Sequence, residues 1–452
     1  MTLQFGTDGV RGLANVELTP ELVLALGRAG ARVLGHERWV VGRDTRRSGP
    51  LLQAALAAGL AAEGADVVDL GVLPTPAIAY RSVVDDLPAA VLSASHNAFA
   101  DNGVKFFAAG GRKLSDELER RLEAELTAIG VTTASGTPTG AGSSPTGTAV
   151  GALTTDPAAA DAYVAHLVAN ALGGRRLDGL RVVIDTANGA ASVVAPRVLQ
   201  ALGAEVTVLN AQPDGVNINA GCGSTHPADL QRVVPQRRAQ VGLAFDGDAD
   251  RVLAVDATGE LVDGDQIIGI CAIDRRERGV LPDDTVVVTV MTNLGFRLGM
   301  QEHGVKVVDT SVGDRHVLAA MEEGGFSLGG EQSGHVIFRD LATTGDGLLT
   351  GLQLLDVVAR SGQPLADLAA AAMTRLPQVL VNVQVAARGT DVAASIAPDI
   401  AAAEAALGDH GRVLIRPSGT EPLVRVMVEA PTTEQARSVA DHLAERVAAA
   451  CA

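Results

Sequence analysis

Two stretches of this sequence hold residue types that could do chemistry together. The first is Ser93-Ala94-Ser95-His96-Asn97, running on through Asp101 and Asn102 to Lys105. It puts two hydroxyls, an imidazole and an amine into one turn-rich segment, directly after the apolar run Ala89 to Leu92. That run reads as a short buried strand, and loops at strand ends of α/β proteins are exposed while the strand fixes their position. The second stretch is Asp246-Gly247-Asp248-Ala249-Asp250-Arg251, which follows the apolar run Val241 to Phe245. Carboxylates at this spacing can turn toward one point, and three close anions repel unless a cation compensates them. A hard divalent ion such as Mg²⁺ suits three carboxylates. The spacing begins like an EF-hand, but Arg251 stands at its glycine position and Ala257 at its closing glutamate.

Three protein ligands do not fill a Mg²⁺ shell, and this ion usually adds a phosphate oxygen. The chain has no GxxxxGK[ST] loop to bring a nucleotide. The phosphate could instead sit on the protein, and Ser95 is a hydroxyl nucleophile at a strand-to-loop turn. The GxSxG elbow of serine hydrolases is absent around it. Two further loops are candidates. Arg416-Pro417-Ser418-Gly419-Thr420 offers a guanidinium, two hydroxyls and free backbone for a phosphate monoester, with Arg425 as a second cation. Gly330-Glu331-Gln332-Ser333-Gly334-His335 groups a carboxylate and a hydroxyl suited to sugar hydroxyls with an imidazole.

The elements that must position these loops repeat one plan. Trp39 to Val41, Arg181 to Asp185 and Thr285 to Val290 read as strands. Each runs through a loop into a helix, then a glycine (Gly64, Gly203, Gly304), then a second strand. That is the βαβ pattern of a parallel sheet, repeated at domain length. Thr132 to Thr148, rich in Thr, Ser, Gly and Pro, reads as a linker. A helix is expected to follow it, with Thr155 or Asp156 as N-cap and Pro157 in its first turn. Beyond about residue 370 the pattern becomes strands at Val379 to Val385, Arg412 to Ile415 and Leu423 to Val428, then a helix from about Glu434. The expected division is 1–150, 151–253, 254–370 and 371–452.

Composition narrows the class. A hydrophobic fraction of 47% is ample for packed cores, but aromatics are only 2%, so Ala, Val and Leu must build them. A net charge of −17 disfavours a nucleic-acid partner. No apolar run spans a bilayer, and the start of the chain lacks the pattern of a signal peptide, so a soluble cytoplasmic protein with no membrane partner is expected. Three cysteines without a CxxC pair offer neither a disulfide framework nor a zinc site. Lys105, Lys113 and Lys306 are the lysines among 36 basic residues. Lysine can be tuned to lose its proton and arginine cannot, which gives Lys105 added weight.

Taken in order, these motifs make the sequence resemble the α-D-phosphohexomutase superfamily. The resemblance also rests on Phe5 to Gly12, Gly42 to Arg46, Asn217-Ile218-Asn219, Cys222 to His226 and Thr343 to Gly347. The Gln332 form of the Gly330 loop, together with the Phe5 to Gly12 opening, is similar to the glucosamine branch. The fold it implies is three related α/β domains with mixed, largely parallel sheets, plus a smaller C-terminal α+β domain, around a central cleft. The activity it implies interconverts glucosamine 6-phosphate and glucosamine 1-phosphate through a phosphoserine and a 1,6-bisphosphate, supplying UDP-N-acetylglucosamine and the cell wall. By the same resemblance Ser95 is the phosphorylated serine, and Asp246, Asp248 and Asp250 hold Mg²⁺ with its phosphate. Arg11, Lys105, Arg251 and His335 lie near the transferring group, and Glu331 and Ser333 read the sugar. Arg416, Ser418, Gly419 and Thr420 grip the other phosphate. A glucosamine or glucose 1,6-bisphosphate is the implied activator, a phosphosugar the partner, and a homodimer is among the assemblies allowed. Mannose or glucose specificity on the same machinery, or a Mg²⁺-dependent phosphatase, are the competing readings. The family's Ser-His-Asn triplet is usually followed by proline; here Ala98 follows, removing one restraint on the loop.

Overall fold

The computed structural model of the protein describes residues 9–130, 145–386, 392–417 and 422–451. It forms two compact units, one of residues 1–290 and 306–369, the other of residues 291–305 and 370–452.

The first unit holds three sheets. In the first, the strand Arg38–Arg43 lies parallel to Asp66–Val72 on one side and to Ala89–Leu92 on the other. The strand Asp101–Ala108 then pairs antiparallel with both Ala89–Leu92 and Val10–Leu13. The second sheet runs Leu261–Val262, Val252–Asp256, Val241–Phe245, Arg181–Asp185, Glu205–Leu209, and the third Lys306–Thr310, Thr285–Thr289, Leu328–Gly330, Val336–Phe338. Each of these combines a parallel βαβ core with antiparallel strands beside it. The three glycines expected to end the crossover helices all have positive φ: +92° at Gly64, +95° at Gly203 and +66° at Gly304. Glycine reaches that left-handed region without a Cβ clash, so it reverses the chain into the next strand.

With so few aromatics, close helix contact replaces bulky packing. The helices Pro20–Leu34 and Gly49–Ala62 touch through Gly27 and Gly59. A Cβ at Gly59 would lie 2.1 Å from the Leu24 carbonyl oxygen, and one at Gly27 would lie 2.3 Å from that of Leu56. The core around this contact is Val23, Leu26, Leu52, Leu56 and Leu60, capped by Trp39 and Phe106 edge to face.

The second unit is a three-stranded antiparallel sheet, Gln378–Gln384, Leu423–Glu429 and Arg412–Pro417, backed by the helix Thr433–Cys451. Val426, Val428, Ala440, Leu443 and Val447 form its core. This unit also takes the helix Leu294–Glu302, which by chain order is the crossover of the third βαβ. Gly295 and Gly299 let the segment after residue 371 lie against that helix, since Cβ atoms there would meet the Thr374 and Ala372 carbonyl oxygens at 1.9 and 2.2 Å. The buried Glu429 carboxylate accepts from the Leu294 N–H at 2.9 Å, satisfying a donor at the helix start.

The expected helix start near Thr155 is corrected. Leu153–Thr155 is a strand paired in parallel with Asp66–Val72, so the first sheet continues past residue 150. The helix is Ala159–Asn170, and the Asp156 side chain bonds the Ala158 N–H at 2.9 Å. Sheet pairing has claimed the backbone that a cap at Thr155 would need. Most of the Thr132 to Thr148 stretch lies outside the described residues. No helix among the described residues is long and apolar enough to cross a membrane.

Candidate active site

Ser95 is fully buried and sits in the left-handed region at φ +51°, an uncommon conformation for a residue with a side chain. Its Oγ donates to Asp246 Oδ2 at 2.6 Å, and His96 Nδ1 lies 3.4 Å from the same oxygen. The Ser95 N–H donates to Ser93 Oγ at 2.9 Å, and Ser93 Oγ in turn donates to Asp44 Oδ2 at 2.7 Å. Ser93 is therefore spent on orienting the loop. Ser95 is the hydroxyl aimed at the aspartates.

Those aspartates lie on the loop between the antiparallel strands Val241–Phe245 and Val252–Asp256. Ala249 takes φ +56°, and one oxygen from each of Asp246, Asp248 and Asp250 falls within 4.8 Å of the others. Gly247 is required for the approach, because a Cβ there would stand 2.6 Å from the Ser95 carbonyl oxygen. All three carboxylates are buried, and Asp248 Oδ1 is enclosed with no hydrogen-bond partner among the described residues. Burial, reinforced by Asp250 and Asp248, pushes the Asp246 carboxyl well above the usual carboxylate range. Three buried oxygen ligands with an unsatisfied lone pair fit a hard divalent cation. Lys105 donates to Asp248 Oδ2 at 2.9 Å and to Asp250 Oδ2 at 3.2 Å, placing its ammonium between them.

The other expected residues divide. Arg251 donates its backbone N–H to Asp246 Oδ1 at 3.2 Å. Burial, together with the Arg251 and Arg11 charges, pushes the His96 imidazole down to about 4, so it is neutral beside Ser95. The turn Glu331 to His335 is tied to the aspartate loop by the Val252 N–H on the Gly334 carbonyl oxygen at 3.1 Å. Glu331 Oε1 accepts from the Gly313 N–H at 3.1 Å, and Ser333 is exposed. His335 is buried 3.5 Å from Asp314, and neither ring nitrogen has a hydrogen bond among the described residues. Arg416 and Arg425 face each other on paired strands of the second unit, and burial, with the Arg425 charge, pushes the Arg416 guanidinium down from its ordinary value. Ser418, Gly419 and Thr420 lie outside the described residues.

Four residues that support this site were not read as doing so. Asp44 and Arg46 form a fully buried pair at 2.8 Å behind the Ser95 loop. Thr75 Oγ1 donates to Asp248 Oδ2 at 2.7 Å, and its backbone N–H donates to the Asp248 carbonyl oxygen at 2.9 Å. Asn219 Nδ2 donates to the Ser95 and Asn97 carbonyl oxygens at 2.9 and 3.0 Å. The Pro-Thr-Pro run at Pro74 to Pro76 was the available signal for Thr75, and the Gly42 to Arg46 and Asn217 to Asn219 motifs for the others.

Family models for four consecutive domains match the chain in order. They are phosphoglucomutase/phosphomannomutase alpha/beta/alpha domain I at residues 2–132, domain II at 161–259, domain III at 263–376 and the C-terminal domain at 380–446. The chain belongs to the phosphoglucomutase/phosphomannomutase family. Within that family it is 55% identical over 452 residues to phosphoglucosamine mutase of Rhodococcus jostii, covering 98% of this chain and 99% of that one. It is 56% identical over 464 aligned residues to phosphoglucosamine mutase of Frankia alni, covering 100% and 99%. Among solved structures, a phosphoglucomutase/phosphomannomutase family protein of Burkholderia thailandensis superposes with a TM-score of 0.81 at 28% identity, over 100% of this chain and 98% of that one. N-acetylphosphoglucosamine mutase of Aspergillus fumigatus, solved with GlcNAc-6P and magnesium, shares the fold at a TM-score of 0.69 and 20% identity, over 100% and 96%.

Proposed function

We propose that the protein is an intramolecular phosphotransferase that interconverts glucosamine 6-phosphate and glucosamine 1-phosphate through a phosphorylated Ser95. The observation that carries the chemistry is the Ser95 hydroxyl held 2.6 Å from a buried three-carboxylate cluster. Identity of about 55% along almost the whole chain to phosphoglucosamine mutases supports glucosamine as the sugar.

In the forward half-reaction the bond from Ser95 Oγ to phosphorus breaks and a bond to the sugar's C1 oxygen forms. The C1 hydroxyl loses its proton as that happens, and the departing Ser95 Oγ takes one up. Lys105, buried with its ammonium on Asp248 and Asp250, is the residue we assign to proton transfer. The 1,6-bisphosphate then turns over, and its 6-phosphoryl group returns to Ser95. Asp246, Asp248 and Asp250, with the phosphate on Ser95, would hold Mg²⁺, which when bound neutralises charge on the transferring oxygens. Arg11, Arg251 and His335 are assigned to the neighbourhood of that group, and Glu331 and Ser333 to the sugar hydroxyls. Arg416 and Arg425, with Ser418, Gly419 and Thr420, are assigned to the phosphate that stays bound. A sugar 1,6-bisphosphate, of glucosamine or glucose, would prime Ser95.

The test is a panel of glucosamine, glucose and mannose 6-phosphates, assayed with Mg²⁺ and a trace of glucose 1,6-bisphosphate. Fastest conversion of glucosamine 6-phosphate is expected. Preference for mannose or glucose would move the protein to another branch of the family. Steady release of inorganic phosphate that survives Ser95→Ala would replace the mutase reading with a phosphatase.

A further inference from the structure

We propose that Arg46 is the positioning residue that sets the reactive orientation of Ser95; the inference rests on the mutase reading above for its kinetic consequence. Arg46 is 1% exposed, and every N–H of its guanidinium is engaged. Nε donates to Asp44 Oδ2 at 2.8 Å. Nη2 donates to the carbonyl oxygens of Ser95 and Asn97 at 3.0 and 2.9 Å. Nη1 donates to the carbonyl oxygens of Ala98 and Asp101, the latter at 3.0 Å. A guanidinium has five N–H donors in a fixed plane, and here all five meet an oxygen.

The arrangement amounts to a cage of four inward-facing backbone carbonyls filled by a side chain. Three of these carbonyls have one other donor, Asn219 Nδ2 for Ser95 and Asn97 and the Asp101 N–H for Ala98, and Arg46 is the group that meets all four at once. The fork also controls direction. The Ser95 carbonyl is drawn to Arg46 and Asn219, and the Ser95 N–H is taken by Ser93 Oγ. With the peptide groups on both sides of Ser95 pinned, its backbone is held at φ +51° and its Cβ has one direction, toward Asp246. None of these pins uses Ser95 Oγ. They persist whether or not the oxygen carries a phosphoryl group, so the serine returns to the same place after each transfer. The same pins restrain the loop at Ala98, through its carbonyl. Asp44 completes the device, since the carboxylate that steadies Arg46 also holds Ser93.

Lysine at this position keeps a charge for Asp44 but has three donors on one atom and cannot reach four carbonyls. In Arg46→Lys we expect kcat to fall about a hundredfold, as for a displaced reacting group, with the KM for glucosamine 6-phosphate within about threefold of native. Phosphorylation of Ser95 by glucose 1,6-bisphosphate, followed by intact-protein mass, should slow in parallel. Amide exchange in residues 94–101 should accelerate while the rest of the chain stays protected. Asn219→Asp, which replaces the second donor to the Ser95 and Asn97 carbonyls with an acceptor, keeps the test open if Arg46 variants do not fold. It should lower kcat about tenfold at unchanged KM. A kcat within threefold of native in Arg46→Lys overturns the proposal. So does native-rate Ser95 phosphorylation accompanied by a general loss of melting temperature. If the native protein does not interconvert the sugar phosphates at all, the mutase reading fails. Amide exchange and Ser95 phosphorylation then still decide the role of Arg46.

Discussion

The loop around Ser95 and the turn around His335 are both buried polar turns, but they are finished to different degrees. In the Ser95 loop the backbone carbonyls meet Arg46 or Asn219, and Ser93 is bound on both sides. In the His335 turn both ring nitrogens have no hydrogen bond among the described residues, and Ser333 faces solvent. Buried polar atoms are normally paired, so unpaired ones at a site are where an incoming group can bond. The comparison teaches a difference in support. The loop that carries Ser95 is pinned by side chains on both sides, whereas the His335 turn holds polar atoms with no hydrogen bond among the described residues.

The largest expected effect is at the covalent centre. Ser95→Ala should lower mutase activity by at least ~10³-fold, as loss of a nucleophile does. Phosphosite mapping should find no phosphate in the 93–105 segment of that variant; normal turnover by it would erase the distinction between the two regions. Next comes the support of the middle aspartate. Thr75→Val removes a hydroxyl donor from Asp248 without changing side-chain shape greatly, and should weaken Mg²⁺ about 10–100-fold in a metal titration of activity. An unchanged half-saturating Mg²⁺ concentration would show that Asp248 needs no such hold. Changes in the turn from Glu331 to His335 should look different in kind. Glu331→Gln should raise the KM for glucosamine 6-phosphate about tenfold, the scale of one weakened charged hydrogen bond, while glucose 1,6-bisphosphate still phosphorylates Ser95. Equal loss of both activities would mean that the turn also builds the covalent centre.

The smallest effect tests a brace next to the strand that follows that turn. Asp346 caps the helix Gly347–Ser361 through the Leu349 N–H at 2.9 Å and accepts the buried Tyr163 hydroxyl at 2.6 Å. Burial lifts its carboxyl to about 6, from an ordinary value of 3.8. A folded-state value above the unfolded one means that the proton is held more tightly in the folded chain. The contribution to stability is therefore full below about 3.8 and lost as pH rises through about 6, by at most about 3 kcal/mol. Asp346→Asn has no such titration, so its melting temperature relative to the native protein should rise by a few degrees between pH 4 and pH 7. A difference that does not change with pH would show that Asp346 does not titrate in this range.

What could be read along the chain was what depends on neighbours in sequence. Ala89–Leu92 and Arg181–Asp185 are strands at the residues expected, because short apolar runs bounded by turn residues specify themselves. The aspartate cluster was legible for the same reason, its three carboxylates lying within five residues on one loop. The expected helix cap at Thr155 failed where a local signal met a distant strand, and pairing with Asp66–Val72 decided the outcome. The helix Leu294–Glu302 was recognisable, but its place against residues 372–374 and Glu429 depended on close backbone approach that only packing reveals.

The opening pair of stretches shows the boundary most clearly. By itself the sequence determined which groups were available: two serine hydroxyls, three carboxylates, a lysine and the turns that carry them. The resemblance had already singled out Ser95; only the tertiary structure decided what aims it. Ser95 meets Asp246 across 151 residues of chain, Arg46 reaches it across 49, and Thr75 reaches Asp248 across 173. Hydrogen bonds act over about 3 Å of space and leave no periodic trace in sequence, so their partners are known only once the sheets have brought the loops together.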